Sequence, residues 1–351
     1  MKTKPVIGVM MFSLAPLGQD EFLQDLEYEV VLFTPWSIRW SERLVNGLLY
    51  RDSSWLQAVS PFPGAVYNRC YTGDGKYARR VAKLIGKNNV FNCITRFDKW
   101  DVYQFLARTE LKHYLPQTWR YRQELLPVLM ERHRHLVLKP SVGHYGKNVY
   151  RLEKTTANKY NIYNGSVWPL LDNANKEEIM SFLYEITESK RFLLQQFIPF
   201  AEVKQSLFEL RLFVQKNGLG QWVVSAAISR IAADGFWVTN YAAEICRAEA
   251  VLAEAGFAEK LAEIKTAGIN TAIILEAELG SLGEISVDFG IGTDGKVWII
   301  EVNGLPVKSY LAGVGDTELE KRVYLLPFRY AAYLLKKRSA KPLFYKAQRE
   351  R

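Results

Sequence analysis

Short apolar runs separated by loops open the chain. Val6 to Met11, Glu29 to Phe33 and Gly64 to Tyr67 read as buried strands. Between Gly73 and Gly86 the apolar positions change period, with Ala78, Val81, Ala82 and Ile85 at helical spacing. Strands alternating with a helix predict a small α/β lobe built on a mostly parallel sheet. Asp98 is placed to cap a helix through Trp100, Val102, Tyr103, Phe105 and Leu106, which ends before Tyr114-Leu115-Pro116.

Leu136 to Lys139 is a short buried strand, and Asn148 to Leu152 returns as another. The loop between them, Ser141-Val142-Gly143-His144-Tyr145-Gly146-Lys147, contains two glycines, which let a backbone turn its N–H groups toward an anion. It lacks the Walker A pattern, because Ser141 stands where that motif needs glycine and Asn148 where it needs Ser or Thr. Asn175 caps an amphipathic helix carrying Ile179, Phe182, Leu183 and Ile186. Strands follow at Arg191 to Ile198, Leu210 to Gln215 and Gln221 to Ile228, the last two joined by a turn at Lys216-Asn217-Gly218. Glu244 to Leu279 reads as helical. Glu318 to Lys337 closes as a helix that Pro327 should break or kink.

The most informative chemistry lies on a predicted hairpin. Ile285 to Gly290 and Val297 to Asn303 flank Asp294-Gly295, a strong two-residue turn signal. Counting back from Thr293 opposite Lys296 puts Asp288 opposite Glu301, and Asn303 shares the face of Glu301. Two facing carboxylates repel unless a positive charge sits between them. Three hard oxygen donors in one patch suit Mg²⁺, which one or two carboxylates and substrate phosphates commonly hold. Lys139, at the end of its strand, can add a point charge to phosphate oxygens.

The 351 residues suffice for two or three lobes and a large core. No stretch approaches the roughly 18–20 apolar residues of a membrane span. The basic start at Met1-Lys2-Thr3-Lys4 leads into a short apolar run that reads as a first strand rather than a signal peptide. Cys70, Cys93 and Cys246 show neither metal spacing nor a disulfide framework, which points to a reducing, cytoplasmic setting. Of the formal net charge of +9, most lies from Lys336 to Arg351, where seven Lys/Arg face one acid. That tail is expected to be solvated, and no helix-turn-helix, zinc-finger or RNA-recognition pattern supports nucleic acid as a partner.

Taken in order, Val66-Tyr67-Asn68-Arg69, Phe97-Asp98-Lys99-Trp100, Leu138-Lys139-Pro140-Ser141, Gln195-Gln196-Phe197-Ile198, Glu209-Leu210-Arg211 and Glu301-Val302-Asn303 resemble the ATP-grasp superfamily. The nearest subgroup is the YheC/YheD type of endospore-coat-associated proteins. The resemblance runs from about Val6 to Pro306. It implies an ATP-grasp fold of mixed α/β and α+β class, in which an N-terminal α/β lobe precedes two α+β lobes that clamp Mg-ATP. The expected divisions are 1–97 for the first lobe, 98–194 for the lid lobe, 195–337 for the lobe with the metal site and 338–351 for the tail.

The same resemblance implies roles. Lys99 and Lys139 match the two ATP lysines, and Ser141, Gly143 and Gly146 belong to the phosphate loop. Gln195, Gln196, Phe197 and Ile198 match the segment that reads the adenine edge. Asp288, Glu301 and Asn303 match the Mg²⁺ ligands, Arg211 and Arg230 the arginines near the acceptor and γ-phosphate, and Asn240 a further phosphate-side residue. Three departures stand out: Tyr241-Ala242-Ala243 follows Asn240 where the family has glycines, Ser286 replaces a glycine, and Glu209 replaces an aspartate. The implied activity is ADP-forming amide synthesis between an unidentified carboxylic acid and an amine, small molecules or peptides. The alternative is a non-catalytic or merely nucleotide-binding spore-coat assembly protein, with coat proteins as partners.

Overall fold

The computed structural model describes residues 5–143, 146–156 and 159–339. Three six-stranded sheets follow one another along the chain. The first contains β1 (Val6–Met10), β2 (Glu29–Arg39), β3 (Leu44–Arg51), β4 (Ser54–Pro61), β5 (Ala65–Asn68) and β6 (Val90–Phe91), in the order β4-β3-β2-β1-β5-β6. Only β2, β1, β5 and β6 run parallel, whereas β3 and β4 extend the edge as an antiparallel meander. The sheet is therefore more mixed than its sequence suggested. The tight turn between β3 and β4 uses Asp52 and Ser53, both at positive φ (50° and 62°), and carries no glycine to announce it.

The second sheet contains β7 (Thr118–Arg120), β8 (His135–Pro140), β9 (Tyr150–Thr156), β10 (Lys159–Tyr163), β11 (Pro169–Ala174) and β12 (Phe192–Gln196). It is antiparallel throughout, in the order β11-β10-β9-β8-β12-β7. The third contains β13 (Glu202–Val203), β14 (Ser206–Lys216), β15 (Trp222–Ala232), β16 (Ala242–Arg247), β17 (Glu284–Ile291) and β18 (Val297–Asn303), in the order β16-β15-β14-β17-β18 with β13 on β14.

Among the described residues seven α-helices cover these sheets: α1 (Lys76–Ile85), α2 (Lys99–Leu106), α3 (Leu125–Arg132), α4 (Lys176–Thr187), α5 (Ala248–Glu254), α6 (Lys260–Leu279) and α7 (Thr317–Ser339). Asp98 caps α2 by accepting from the Trp100 N–H at 2.9 Å. Asn175 and Glu178 form a reciprocal capping box at α4. The expected continuous helix from Glu244 is corrected: Ala242 to Arg247 is the edge strand β16, and a break at 255–259 separates α5 from α6. The alanine-rich composition hid a strand whose pairing with β15 decides its conformation.

Pro327 lies inside α7, and the helix continues through it. A proline cannot donate to the carbonyl four residues back. That carbonyl, Val323 O, accepts instead from the Gln215 side-chain amide of β14 at 2.9 Å. Helix α7 also carries Phe328, Tyr330, Ala331 and Leu334 into the core of the first sheet, beside Tyr67 and Phe91. The end of the chain thus welds the first lobe to the third. Helices α3 and α4 pack on the second sheet, while α2, α5 and α6 share the core of the third.

Candidate functional site

The β17–β18 hairpin realises the predicted pairing by a different route. Its tip is longer than a two-residue turn: Ile291 pairs with Val297, and Gly292 N–H donates to Lys296 O at 2.8 Å. Gly295, at φ 77°, closes this three-residue loop. That register would offset Asp288 from Glu301 by one residue. A bulge on β18 then skips Ile300, so that Phe289 pairs with Ile299 while Asp288 pairs with Glu301. The two departures cancel. The bulge also aims Ile300 O at Lys139 Nζ, 3.4 Å away.

Around this hairpin the second and third sheets enclose a cleft of about 670 Å³. Every candidate site residue lines it except Ser141. The Ser141 hydroxyl is turned onto Asp98, its N–H donates to Arg191 O at 2.8 Å, and its carbonyl accepts from Lys99 N–H at 2.8 Å. Ser141 therefore ties the phosphate loop to the start of α2. Residues 144 and 145 of that loop lie outside the described residues. A Cβ on Gly146, at φ 62°, would fall 1.8 Å from Asn240 Nδ2, so glycine lets the loop approach Asn240. Gly143 has room for a side chain.

Two lysines reach the hairpin from the lid side. Lys99 Nζ lies 3.2 Å from Glu301 and donates to Gly143 O at 3.3 Å. Lys139 is buried and donates to Gln195 Oε1 at 2.8 Å, while Gln195 Nε2 donates to Thr118. The Gln195 side chain thus positions a lysine. The Gln196 carboxamide oxygen accepts from Gln117 N–H at 3.3 Å. Burial lowers the Lys139 ammonium to about 8, with the Glu301 charge opposing and the Lys99 charge adding. Phe197 and Ile198 line the cleft, and Phe197 packs against Trp237 with ring centroids 6.4 Å apart.

Asp288 is only 2% exposed. Arg211 grips it from the neighbouring strand through two bonds of 2.7 Å, and Asn303 Nδ2 approaches its Oδ2 at 3.4 Å. Burial pushes the Asp288 carboxyl up, but the Arg211 guanidinium more than reverses this and holds it below the usual carboxylate range. Arg230 pairs with Glu209 and stands 3.6 Å from Asp288, with its Nε unpartnered. Thr239 donates to Glu209 at 2.5 Å. Burial keeps the Glu209 carboxyl above its usual range despite Arg230.

Glu301 is more open, its side chain 29% exposed. No group of three or more His, Cys, Asp or Glu close enough to hold a metal exists among the described residues. Two carboxylates and the Asn303 amide are nonetheless a hard oxygen set. Asp288 retains acceptor capacity beyond its Arg211 bonds, because a carboxylate offers about four lone-pair sites. The donor chemistry fits Mg²⁺ completed by phosphate oxygens.

Among the cleft residues to which sequence reasoning gave no role are Trp237, Lys308, Tyr310 and Arg69. Tyr310 lies 5.3 Å from both the Arg211 and Arg230 guanidinium carbons. Lys308 follows Asn303 closely, which was the available signal. Trp237 had none, and Arg69 appeared only as part of a motif without a role.

The YheC/D-like ATP-grasp family profile matches residues 87–334. The endospore coat-associated protein YheD of Bacillus subtilis (strain 168) is 27% identical over 326 residues, covering 89% of this chain and 72% of that protein. YheC of the same organism is 23% identical over 333 residues, covering 89% of each. Among solved structures, the ATP-grasp ligase PsnB complexed with minimal precursor, Mg and ADP superposes with a TM-score of 0.54 at 14% identity, over 92% of this chain and 98% of that one. With the family profile spanning most of its length and its three sheets arranged as in ATP-grasp ligases, this chain belongs to the YheC/D-like ATP-grasp family.

Proposed function

We propose that the protein is an ATP- and Mg²⁺-dependent carboxylate–amine ligase that forms an amide through an acyl phosphate. The convergence of Lys99 and Lys139 on the Asp288–Glu301–Asn303 hairpin, inside one cleft, carries this reading. Glu301 and Asn303, with Asp288, would hold the Mg²⁺, which neutralises phosphate charge when bound. Lys139 and Lys99 offset the negative charge that develops as the γ-phosphoryl group moves. A carboxylate oxygen of the acid attacks the γ-phosphorus as the bond to ADP breaks. The amine then attacks the acyl carbon, phosphate leaves with the C–O bond, and the amine loses a proton. Arg211 and Arg230 would border the acceptor side, and the loop that carries Gly143 and Gly146 would exclude water.

A second reading keeps the fold without turnover, as a nucleotide-binding or coat-assembly protein in the cytoplasm or on the spore coat. It is favoured by the closed contact between Arg211 and Asp288, and by the coat association in the names of YheC and YheD. Calorimetry with ATP, with and without Mg²⁺, followed by ADP release with acids and amines, separates the two. Mg²⁺-dependent ATP binding with acid-stimulated ADP release supports the ligase. Tight ATP binding without any release supports the second reading, and indifference to ATP sinks the ligase and leaves only a coat-assembly role.

A further inference from the structure

Most cations of the cleft are spoken for, and Lys147 lines it from an exposed position. Lys99 faces Glu301, Arg211 faces Asp288, Arg230 faces Glu209, and Lys139 is held by Gln195. Lys308 is buried against Glu284 at 2.9 Å. Arg69 differs. It lines the same cleft, half-buried, just beyond the C-terminal end of β5, and no acidic side chain lies within ion-pair distance of it among the described residues. Its backbone N–H donates to Met10 O at 2.7 Å, which fixes where it leaves the sheet.

The nearest acid, Glu284, acts on it through its charge rather than by contact, and is shared with Lys308. Glu284 already accepts from the Tyr67 hydroxyl on one oxygen, and from Gln215 at 2.8 Å and Lys308 on the other. Tyr67 lies under the Arg69 guanidinium carbon at 5.7 Å, and Tyr324 lines the cleft beside it. All three acids that line the cleft, Glu209, Asp288 and Glu301, have cationic partners of their own. One carboxylate thus stands against two cations, Lys308 and Arg69, so this end of the cleft keeps a net positive charge, and the planar Arg69 fork matches a carboxylate.

We infer that the first-lobe end of the cleft takes a substrate bearing a carboxylate that Arg69 grips, distinct from the carboxylate activated beside Arg211. This rests on the ligase reading and names its substrate class. Two sources would present such a group: the second carboxylate of a diacid, or the α-carboxylate of an amino acid or peptide acting as the amine. Lys308 shares Glu284 with Arg69 and shapes this end of the cleft.

The test uses the full chain with Mg-ATP, as wild type, Arg69→Ala and Arg69→Lys. Thermal shift and ADP release are recorded with succinate and glutarate against their monomethyl esters, and with free L- and D-amino acids against their amides. For at least one pair, the charged member should act about tenfold or more better on wild type, matching loss of a charge-assisted hydrogen bond. Arg69→Ala should erase that preference, Arg69→Lys should keep part of it, and ATP affinity by calorimetry should stay put in both. Preference within the diacid pairs assigns the carboxylate to the acid, and within the amino-acid pairs to the amine. Equal response to charged and neutral members, a preference that survives Arg69→Ala, or no response to any acid at millimolar concentration overturns the inference. If Arg69→Ala fails to bind ATP, its fold is lost, and the wild-type pairs with Arg69→Lys decide. Wild type indifferent to ATP would instead sink the ligase reading itself.

Discussion

Strand β17 carries two buried carboxylates on one face, four residues apart, and they serve different ends. Glu284 is wholly enclosed, and its partners come from three directions: Tyr67 of the first sheet, Gln215 of the third and Lys308 of the loop after β18. It joins lobes. Asp288 is almost as buried, yet its partners Arg211 and Asn303 are neighbours within its own sheet, and the cleft opens above it. Enclosure from all sides makes a carboxylate a structural weld. Enclosure from below, with one face left to a cavity, makes it a candidate ligand.

Removing either charge should cost about the same in stability and very differently in binding. Glu284→Gln leaves Lys308 buried without its partner, and Asp288→Asn does so to Arg211; each should lose about 3–5 kcal/mol in denaturant unfolding. Only Asp288→Asn should also weaken Mg-ATP binding by calorimetry in the fraction that remains folded. Equal ATP affinity in the two variants would erase the distinction.

Gln215→Leu is a milder probe of the weld. It orphans the Val323 carbonyl opposite Pro327 and takes one donor from Glu284, which should cost about 1–3 kcal/mol. A melting temperature equal to that of wild type would mean that the α7 carbonyl finds another donor.

Glu301→Gln probes the open side of the hairpin. Its partner Lys99 is partly solvated, so stability should change by less than about 1 kcal/mol. The Mg²⁺-dependent part of ATP affinity should nonetheless fall about tenfold or more. This makes Glu301 a cleaner test of the metal than Asp288.

The smallest effect is one of pH. Lys139 is held at about 8, below its usual range, so it is charged below pH 8 and neutral above. Affinity for ATP phosphates should therefore be full near pH 7 and decline as pH rises through about 8, at most tenfold per unit. Lys139→Met should flatten that decline. An unchanged slope in Lys139→Met would assign the titration elsewhere.

Much of the candidate site was legible in the sequence because strands alternate and hairpins close on few turn types. Asp288 does pair with Glu301 as those rules predict, but only because two departures from them, the three-residue loop and the bulge at Ile300, cancel. Local pattern missed β3 and β4, because Asp52-Ser53 turns without glycine, and misread β16, because alanine and glutamate favour helix until a neighbouring strand pairs with them. Nor did local pattern show that the Gln195 side chain would hold Lys139, or that the Ser141 hydroxyl would meet Asp98.

The sequence by itself determined most of the helices and strands, β3, β4 and β16 excepted, and which oxygen and nitrogen donors they carry, since periodicity, caps and turns are properties of neighbouring residues. Only the tertiary structure decided which charges cancel. Arg211 on Asp288, and Glu284 shared between Lys308 and Arg69, are outcomes of distant strands meeting. A Coulomb pair depends on separation in space and on exclusion of water, and neither quantity is written in the order of the chain.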